Sequence, residues 1–180
     1  KGGHIEVLGQ NVQVKSTGVL DASGATGGGE VLVGGSWQNS DLRVSQAITT
    51  TIEAGASLRA NATDYGDGGT IVAWSDVVNQ NSQTTVAGNL QAKGGINGGN
   101  GGRIETSGFR VNSENSFVDA SSPKGRGGLW LIDPSDATIN QTIADGYANT
   151  LNTGTSVLNS VNGNIDTVTG VNISKTAGGD

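Results

Sequence analysis

The chain has 180 residues, 31 of them glycine and only 2 proline, with 16 acidic against 10 basic side chains and a formal net charge of −6. Glycine far above its usual share of about 7%, without matching proline, excludes a collagen triple helix. The basic residues are outnumbered and scattered, with only Lys124 and Arg126 close together, which argues against a nucleic-acid partner.

No apolar run approaches the roughly 18 residues that span a bilayer. With no Cys and no Met there is no disulfide framework and no thiolate metal site. Hydrophobic residues make up 33% and aromatics 4%, a composition that suggests disorder only if the apolar residues are scattered. They are not.

A Gly-Gly pair followed by an alternating apolar run opens the chain at Gly2-Gly3-His4-Ile5-Glu6-Val7 and recurs four times. After the first copy come Val12-Gln13-Val14 and then Val19-Leu20-Asp21-Ala22. The second copy, Gly28-Gly29-Glu30-Val31-Leu32-Val33, leads through an extra stretch at about 34–48 to Thr51-Ile52-Glu53 and Ser57-Leu58-Arg59-Ala60. Gly68-Gly69-Thr70-Ile71-Val72-Ala73 is followed by Thr85-Val86-Ala87 and Asn89-Leu90-Gln91-Ala92. Gly101-Gly102-Arg103-Ile104-Glu105-Thr106 is followed by Val111-Asn112 and Phe117-Val118-Asp119-Ala120, and the last copy is Gly127-Gly128-Leu129-Trp130-Leu131-Ile132.

From one pair to the next the spacings are 26, 40, 33 and 26 residues. Three short strands per turn of that length predict an all-β fold: a right-handed parallel β-helix (solenoid) of about five to six coils, stacked at about 4.8 Å. Glycine serves the sharp corners, where it reaches φ > 0 without a Cβ clash.

Alternation assigns the faces. Ile5/Val7, Val31/Val33, Ile71/Ala73 and Ile104/Thr106 point inward, as do Leu20/Ala22, Leu58/Ala60, Leu90/Ala92 and Val118/Ala120. Asp21 then lies outward beside Arg59. The outward positions Glu6, Leu32, Val72, Glu105 and Leu131 include an apolar strip, Leu32 and Val72, that needs covering. The 34–48 excursion is expected to pack over it, with Trp37 as the cover.

After Asp133-Pro134 the pattern changes. Residues 143–151, with Ile143, Tyr147 and Leu151 on one face, predict a short helical or irregular excursion interrupted by Gly146. Strands resume at 156–159, 164–167 and 171–174, and Gly178-Gly179-Asp180 looks like the start of another repeat. The organisation is regular coils over 1–134, with an insertion at about 34–48, and a less regular continuation over 135–180. The whole reads as a segment of a larger protein.

These motifs resemble the filamentous-haemagglutinin-like exoproteins of bacterial two-partner secretion, in the β-helical repeats that follow the secretion domain. The resemblance rests most on Gly68-Gly69-Thr70-Ile71-Val72-Ala73-Trp74-Ser75-Asp76, the glycine-rich stretch from Gly94 to Gly102, Thr106-Ser107-Gly108, Val118-Asp119-Ala120-Ser121 and Leu131-Ile132-Asp133-Pro134. It implies a secreted or cell-surface adhesin fibre. Export would run through an outer-membrane transporter, and the partners would be host-cell or bacterial surface glycans and proteins. The family's secretion domain carries an Asn-Pro-Asn-Gly signature. This chain has no Asn-Pro, so the resemblance does not extend to that domain.

Some parallel β-helices cleave polysaccharides, which takes two carboxylates at a set separation. Asp64, Asp67, Asp76, Asp119, Asp133 and Asp136 show no such pair on adjacent coils with a basic partner. No catalytic residue and no cofactor is assigned, and the expectation is a non-enzymatic shaft and display segment. The alternatives are a carbohydrate-binding β-helix and, behind it, a polysaccharide lyase or hydrolase.

Asp64-Tyr65-Gly66-Asp67-Gly68-Gly69 superficially resembles a calcium loop, which makes Asp64 and Asp67 weak metal candidates. A single copy reads better as a turn with Asx-type hydrogen bonds. His4 reads as a surface residue. Asn61, Asn140 and Asn172 each open a glycosylation triplet, a pattern common by chance in a chain so rich in Asn and Thr.

Trp74, Tyr65 and Trp37 are the ligand-contact candidates, since exposed aromatics stack on sugars and anchor interfaces. For Trp74 the favoured expectation is instead packing at a corner, against Trp37 or the 76–82 loop. Trp130 falls at an inward position and marks a local widening of the core.

Overall fold

The computed structural model describes residues 1–177. The repeat predicted at 178–180 lies outside the described residues.

Four complete coils carry three strands each. They are β1 (His4–Val7), β2 (Asn11–Val14) and β3 (Val19–Asp21); β4 (Glu30–Val33), β5 (Thr49–Ile52) and β6 (Ser57–Arg59); β7 (Thr70–Trp74), β8 (Gln83–Val86) and β9 (Asn89–Gln91); and β10 (Arg103–Gly108), β11 (Arg110–Asn112) and β12 (Phe117–Asp119). A fifth coil runs through β13 (Leu129–Pro134), β14 (Ala137–Ile139) and the helix α1 (Gln141–Asn152), followed by β15 (Ser156–Asn159) and β16 (Ile165–Thr167). Equivalent strands stack in parallel as a six-stranded sheet β1-β4-β7-β10-β13-β15 and two four-stranded sheets, β2-β5-β8-β11 and β3-β6-β9-β12. This is a parallel β-helix.

Register follows from the alternation. Ile5, Val31, Ile71, Ile104, Trp130 and Val157 align in one column, and Leu20, Leu58, Leu90 and Val118 in another. These columns meet in the core, where Leu58, Leu90, Ile71 and Ile104 are fully buried. Each such side chain contributes about 1.5–3 kcal/mol. Asp21 pairs with Arg59 in register, as expected. Their 3.8 Å ion pair is well exposed and adds under about 1 kcal/mol.

The paired glycines do not serve through positive φ. None of them lies in that region, which is occupied instead by Gly27, Gly34, Gly55, Gly66, Gly98, Gly99, Gly154 and Gly170. What the pairs supply is close approach between coils. A Cβ on Gly29 would strike the Gly3 carbonyl, one on Gly69 the Gly29 carbonyl, one on Gly102 the Gly69 carbonyl and one on Gly128 the Gly102 carbonyl. All fall well inside the 3.0 Å that real Cβ atoms respect. The same carbonyls accept from the next coil: Glu30 N to Gly3 O at 2.9 Å, Thr70 N to Gly29 O at 2.9 Å, Arg103 N to Gly69 O at 2.9 Å and Leu129 N to Gly102 O at 3.0 Å.

The last third departs from the expected pattern. The helix runs through Gly146, where a Cβ would meet nothing within 4 Å. Asn140 caps it by accepting from Ile143 N at 3.0 Å, and Ala144, Tyr147 and Thr150 are buried. The cost of about 1 kcal/mol for a helical glycine is offset by that burial. Trp130 is in the core, as the alternation places it, and its ring meets Tyr147 edge-on at 5.5 Å.

Sequence pattern missed β14, which pairs with β16 in a separate two-stranded sheet. Residues 171–174 are not a strand. Their backbone is held by helix side chains instead, with Asn172 N donating to Gln141 Oε1 at 3.1 Å and Gln141 Nε2 to Asn172 O at 3.1 Å. No helix among the described residues is long and apolar enough to cross a membrane.

Two glycine substitutions separate these roles. Gly69→Ala should destabilise the chain by at least about 2 kcal/mol, because the clashing atom is backbone that cannot yield locally. Gly146→Ala should stabilise it by about 0.5–1 kcal/mol. Urea denaturation of both variants checks the contrast.

Candidate functional site

The outer face of the six-stranded sheet is the most elaborated surface. Leu32, Val72 and Trp74 point outward by alternation, yet all three are buried, together with Val44, in a second hydrophobic cluster. The excursion between β4 and β5 covers them, as expected. It leaves the sheet at Gly34, whose φ of +79° suits glycine, and passes through a short 3-10 turn at Trp37–Asn39. Ala47 N returns it to Gly34 O at 2.8 Å.

Trp37 shares the covering role rather than supplying it alone. Val44 is the buried plug, while Trp37 packs at the margin, half-buried. The Arg103 guanidinium sits 4.4 Å from the Trp37 ring centroid, a cation–π contact worth about 0.5–1 kcal/mol where exposed.

Trp74 is therefore not an open ligand contact. It is 2% exposed, and its indole Nε1 donates to Gln46 Oε1 at 3.0 Å. The corner-packing expectation holds on both counts, because Trp37 and Val77, from the loop after β7, pack against the same cluster.

Sequence reasoning placed Glu105 outward but missed its burial. Glu6, the other acid of the same column, stands in solvent three coils away, so the residue type alone carries no sign that the excursion closes over Glu105. Glu105 is fully buried. Oε2 accepts from Gln38 N at 2.8 Å and Oε1 from Ser107 Oγ at 2.9 Å. Burial pushes its carboxyl up to about 7, against the opposing pull of these two hydrogen bonds, and the negative charge of Asp133 adds to the rise.

Asp133 sits one coil on, opposite Ser107, and burial raises its carboxyl too. Glu105 and Asp133 are thus two acidic groups on successive coils of one face, an arrangement that the acidic residues weighed from sequence had not revealed. Asp119 is also buried and pairs with Lys93 at 3.1 Å.

The glycine-rich corner carries the other candidates. Tyr65 is 57% exposed, and Ile96, on the neighbouring turn of that corner, is 61% exposed. Asp64 Oδ1 accepts from Asn97 Nδ2 at 2.7 Å, and Asp67 Oδ1 from Asn100 N at 2.6 Å. Both aspartates tie this turn to the next one in the stack. Among the described residues no group of three or more His, Cys, Asp or Glu side chains is placed to hold a metal ion.

An open cleft of about 810 Å³ runs along the glycine pairs of the first three coils, edged by His4, Glu30, Asp67 and Arg103. His4 is a surface residue bridging Glu6 at 2.8 Å and Glu30 at 2.9 Å. The hydrogen bond with Glu6 is the largest cause of its raised pKa, desolvation opposes it and Glu30 adds to it. Of the glycosylation triplets, Asn140 is committed to the helix cap and also donates to Glu114 Oε1 at 2.7 Å.

No protein-family model matches the chain, and no curated protein sequence matches it.

The two aromatics differ sharply in role. Trp74→Ala should cost about 3–5 kcal/mol of stability by opening the covered cluster, whereas Tyr65→Ala should change stability by less than about 0.5 kcal/mol. Chemical denaturation of each variant measures the difference.

Proposed function

We propose that this β-helix is a shaft and display segment of a large secreted bacterial adhesin, non-catalytic in itself, of the filamentous-haemagglutinin-like kind that the sequence resembles. The observation that carries the reading is the unbroken in-register ladder of six parallel strands on one side of the chain, closed around a core filled by side chains. Each coil's backbone groups are satisfied by its neighbours, so coils extend a rod at about 4.8 Å each without a new kind of contact. Such a body suits carrying a surface outward. Further support comes from Glu105, whose two oxygens are engaged by Gln38 and Ser107 beneath the excursion, an arrangement suited to anchoring a loop. Attachment to host-cell or bacterial surface glycans and proteins through other parts of the larger protein, and passage through an outer-membrane transporter, belong to the same proposal.

One observation favours a second reading, a carbohydrate-binding β-helix. Tyr65 and Ile96 present exposed apolar surface at a corner already furnished with Asp64, Asp67 and Asn97, a mix that suits a sugar ring's apolar face and hydroxyls.

Incubating the chain with a panel of surface polysaccharides, and reading both retention and release of reducing or unsaturated ends, tests the proposal. The shaft reading expects neither. Retention that Tyr65→Ala abolishes would establish sugar binding in its place. End release that Glu105→Gln or Asp133→Asn abolishes would make the chain an enzyme.

A further inference from the structure

The excursion over the outer sheet face combines three features. It covers apolar surface, it carries backbone strain, and it is anchored by a buried acid. Gln38 and Asn39 both lie at positive φ, 48° and 50°, a conformation that is costly for residues other than glycine. The segment offsets that cost through few contacts with the solenoid: Val44 in the covered cluster, Trp37 beneath Arg103, Gln46 on Trp74, and Gln38 N on Glu105 Oε2. Leu42, at its outer bend, is 86% exposed. This is the construction of a segment that detaches before the coils do.

We propose that residues 36–44 form a proton-controlled strap, docked while Glu105 is protonated and loosened when Glu105 ionises, so that Leu32, Val72 and Trp74 become accessible on the outer face. The physical reason is that closure removes Glu105 from water, and that loss outweighs the two hydrogen bonds that favour the ionised form, from Gln38 N and Ser107 Oγ, with no cation in direct contact. Ionisable groups on the surrounding elements are few. Arg103 on the same strand is turned over Trp37 and its charge favours the ionised form the least of the causes, while Asp133 on β13 repels. Asp41 and Arg43 on the strap pair with each other at 2.6 Å. On β1 and β4, Glu6, Glu30 and His4 form their own exposed group, and β7 contributes Thr70, Val72 and Trp74, none of which titrates.

The sign follows from linkage. The docked state raises the carboxyl from 4.5 to about 7, so it binds the proton more tightly than the open state. Docking is then strongest below about pH 4.5, weakens as pH rises, and has lost this contribution above about pH 7.

Hydrogen exchange of the Gln38 amide, which donates to Glu105, corrected for its intrinsic rate, tests the strap. Protection should fall about tenfold between pH 6 and 8, and Glu105→Gln, which keeps an acceptor but cannot ionise, should show no such fall. Protection that is flat in the unaltered chain overturns the proposal, as does a fall that persists in Glu105→Gln. The pKa of His4 is raised by its contacts with Glu6 and Glu30, so a fall abolished by His4→Gln also overturns it. If Glu105→Gln does not fold, Asp133→Asn decides: removing the neighbouring charge should move the midpoint to lower pH, and an unmoved midpoint contradicts the proposal.

Discussion

Everything in this fold depends on how closely one coil can lie on the next, and the glycine pairs set that distance. At the entrances to β4, β7, β10 and β13 the backbone turns so that a Cβ would point along the stack. There the second glycine of one coil meets the carbonyl of the second glycine below it. That carbonyl accepts from the residue that opens the next strand. At β15, by contrast, Thr155 stands in the second-glycine position, and Ser156 N still donates to Gly128 O at 2.9 Å. With the approach fixed at the corner, the strands that follow fall into register, and the inward residues fill the interior as one core cluster. The repeat is therefore a steric rule before it is a hydrophobic one. It also explains why insertions of different length between pairs leave the ladder intact.

The excursion after β4 shows what the chain does with an apolar outward position. Leu32 and Val72 lie on the face that a solenoid normally presents to water, and the strap converts that face into a second, smaller core around Trp74. The conversion carries Glu105 into the interior as well, because Glu105 shares the column of Leu32 and Val72. One covering loop thus sequesters an indole and creates a titratable group near neutrality. Two exposed apolar side chains, Tyr65 and Ile96, lie elsewhere, at the glycine-rich corner.

Most of the architecture was legible in the sequence because a parallel solenoid writes its register locally. The Gly-Gly pairs marked every strand of the large sheet up to β13, alternation gave the inward faces, and Asp21 was correctly set beside Arg59. The covering of Leu32 and Val72 was equally readable, since two adjacent apolar outward positions require it. What escaped was non-local. Strand β14 pairs across a helix with β16, and neither segment has a repeat signature. The backbone of 171–174 is satisfied by Gln141, a partner that no strand pattern reveals.

The expectation that glycine serves corners through positive φ holds for residues such as Gly27, Gly34 and Gly66 but not for the repeat pairs, because composition cannot distinguish a need for positive φ from a need for no Cβ. Of the candidate site residues, Tyr65 is exposed and Trp37 half-buried. Trp74 was displaced into a core by the same strap that hid Glu105. Alternation tells which side of a sheet a residue occupies, but not what lies above it.

The glycine joint is tested most directly by native-state hydrogen exchange at the Glu30, Thr70, Arg103 and Leu129 amides, which donate to the glycine carbonyls of the preceding coil. If the joint holds the stack together, these four amides exchange only through openings that cost nearly the full unfolding free energy. Exchange of these amides as fast as that of the exposed corner turns would show that the coils are held by something else, and would contradict the account.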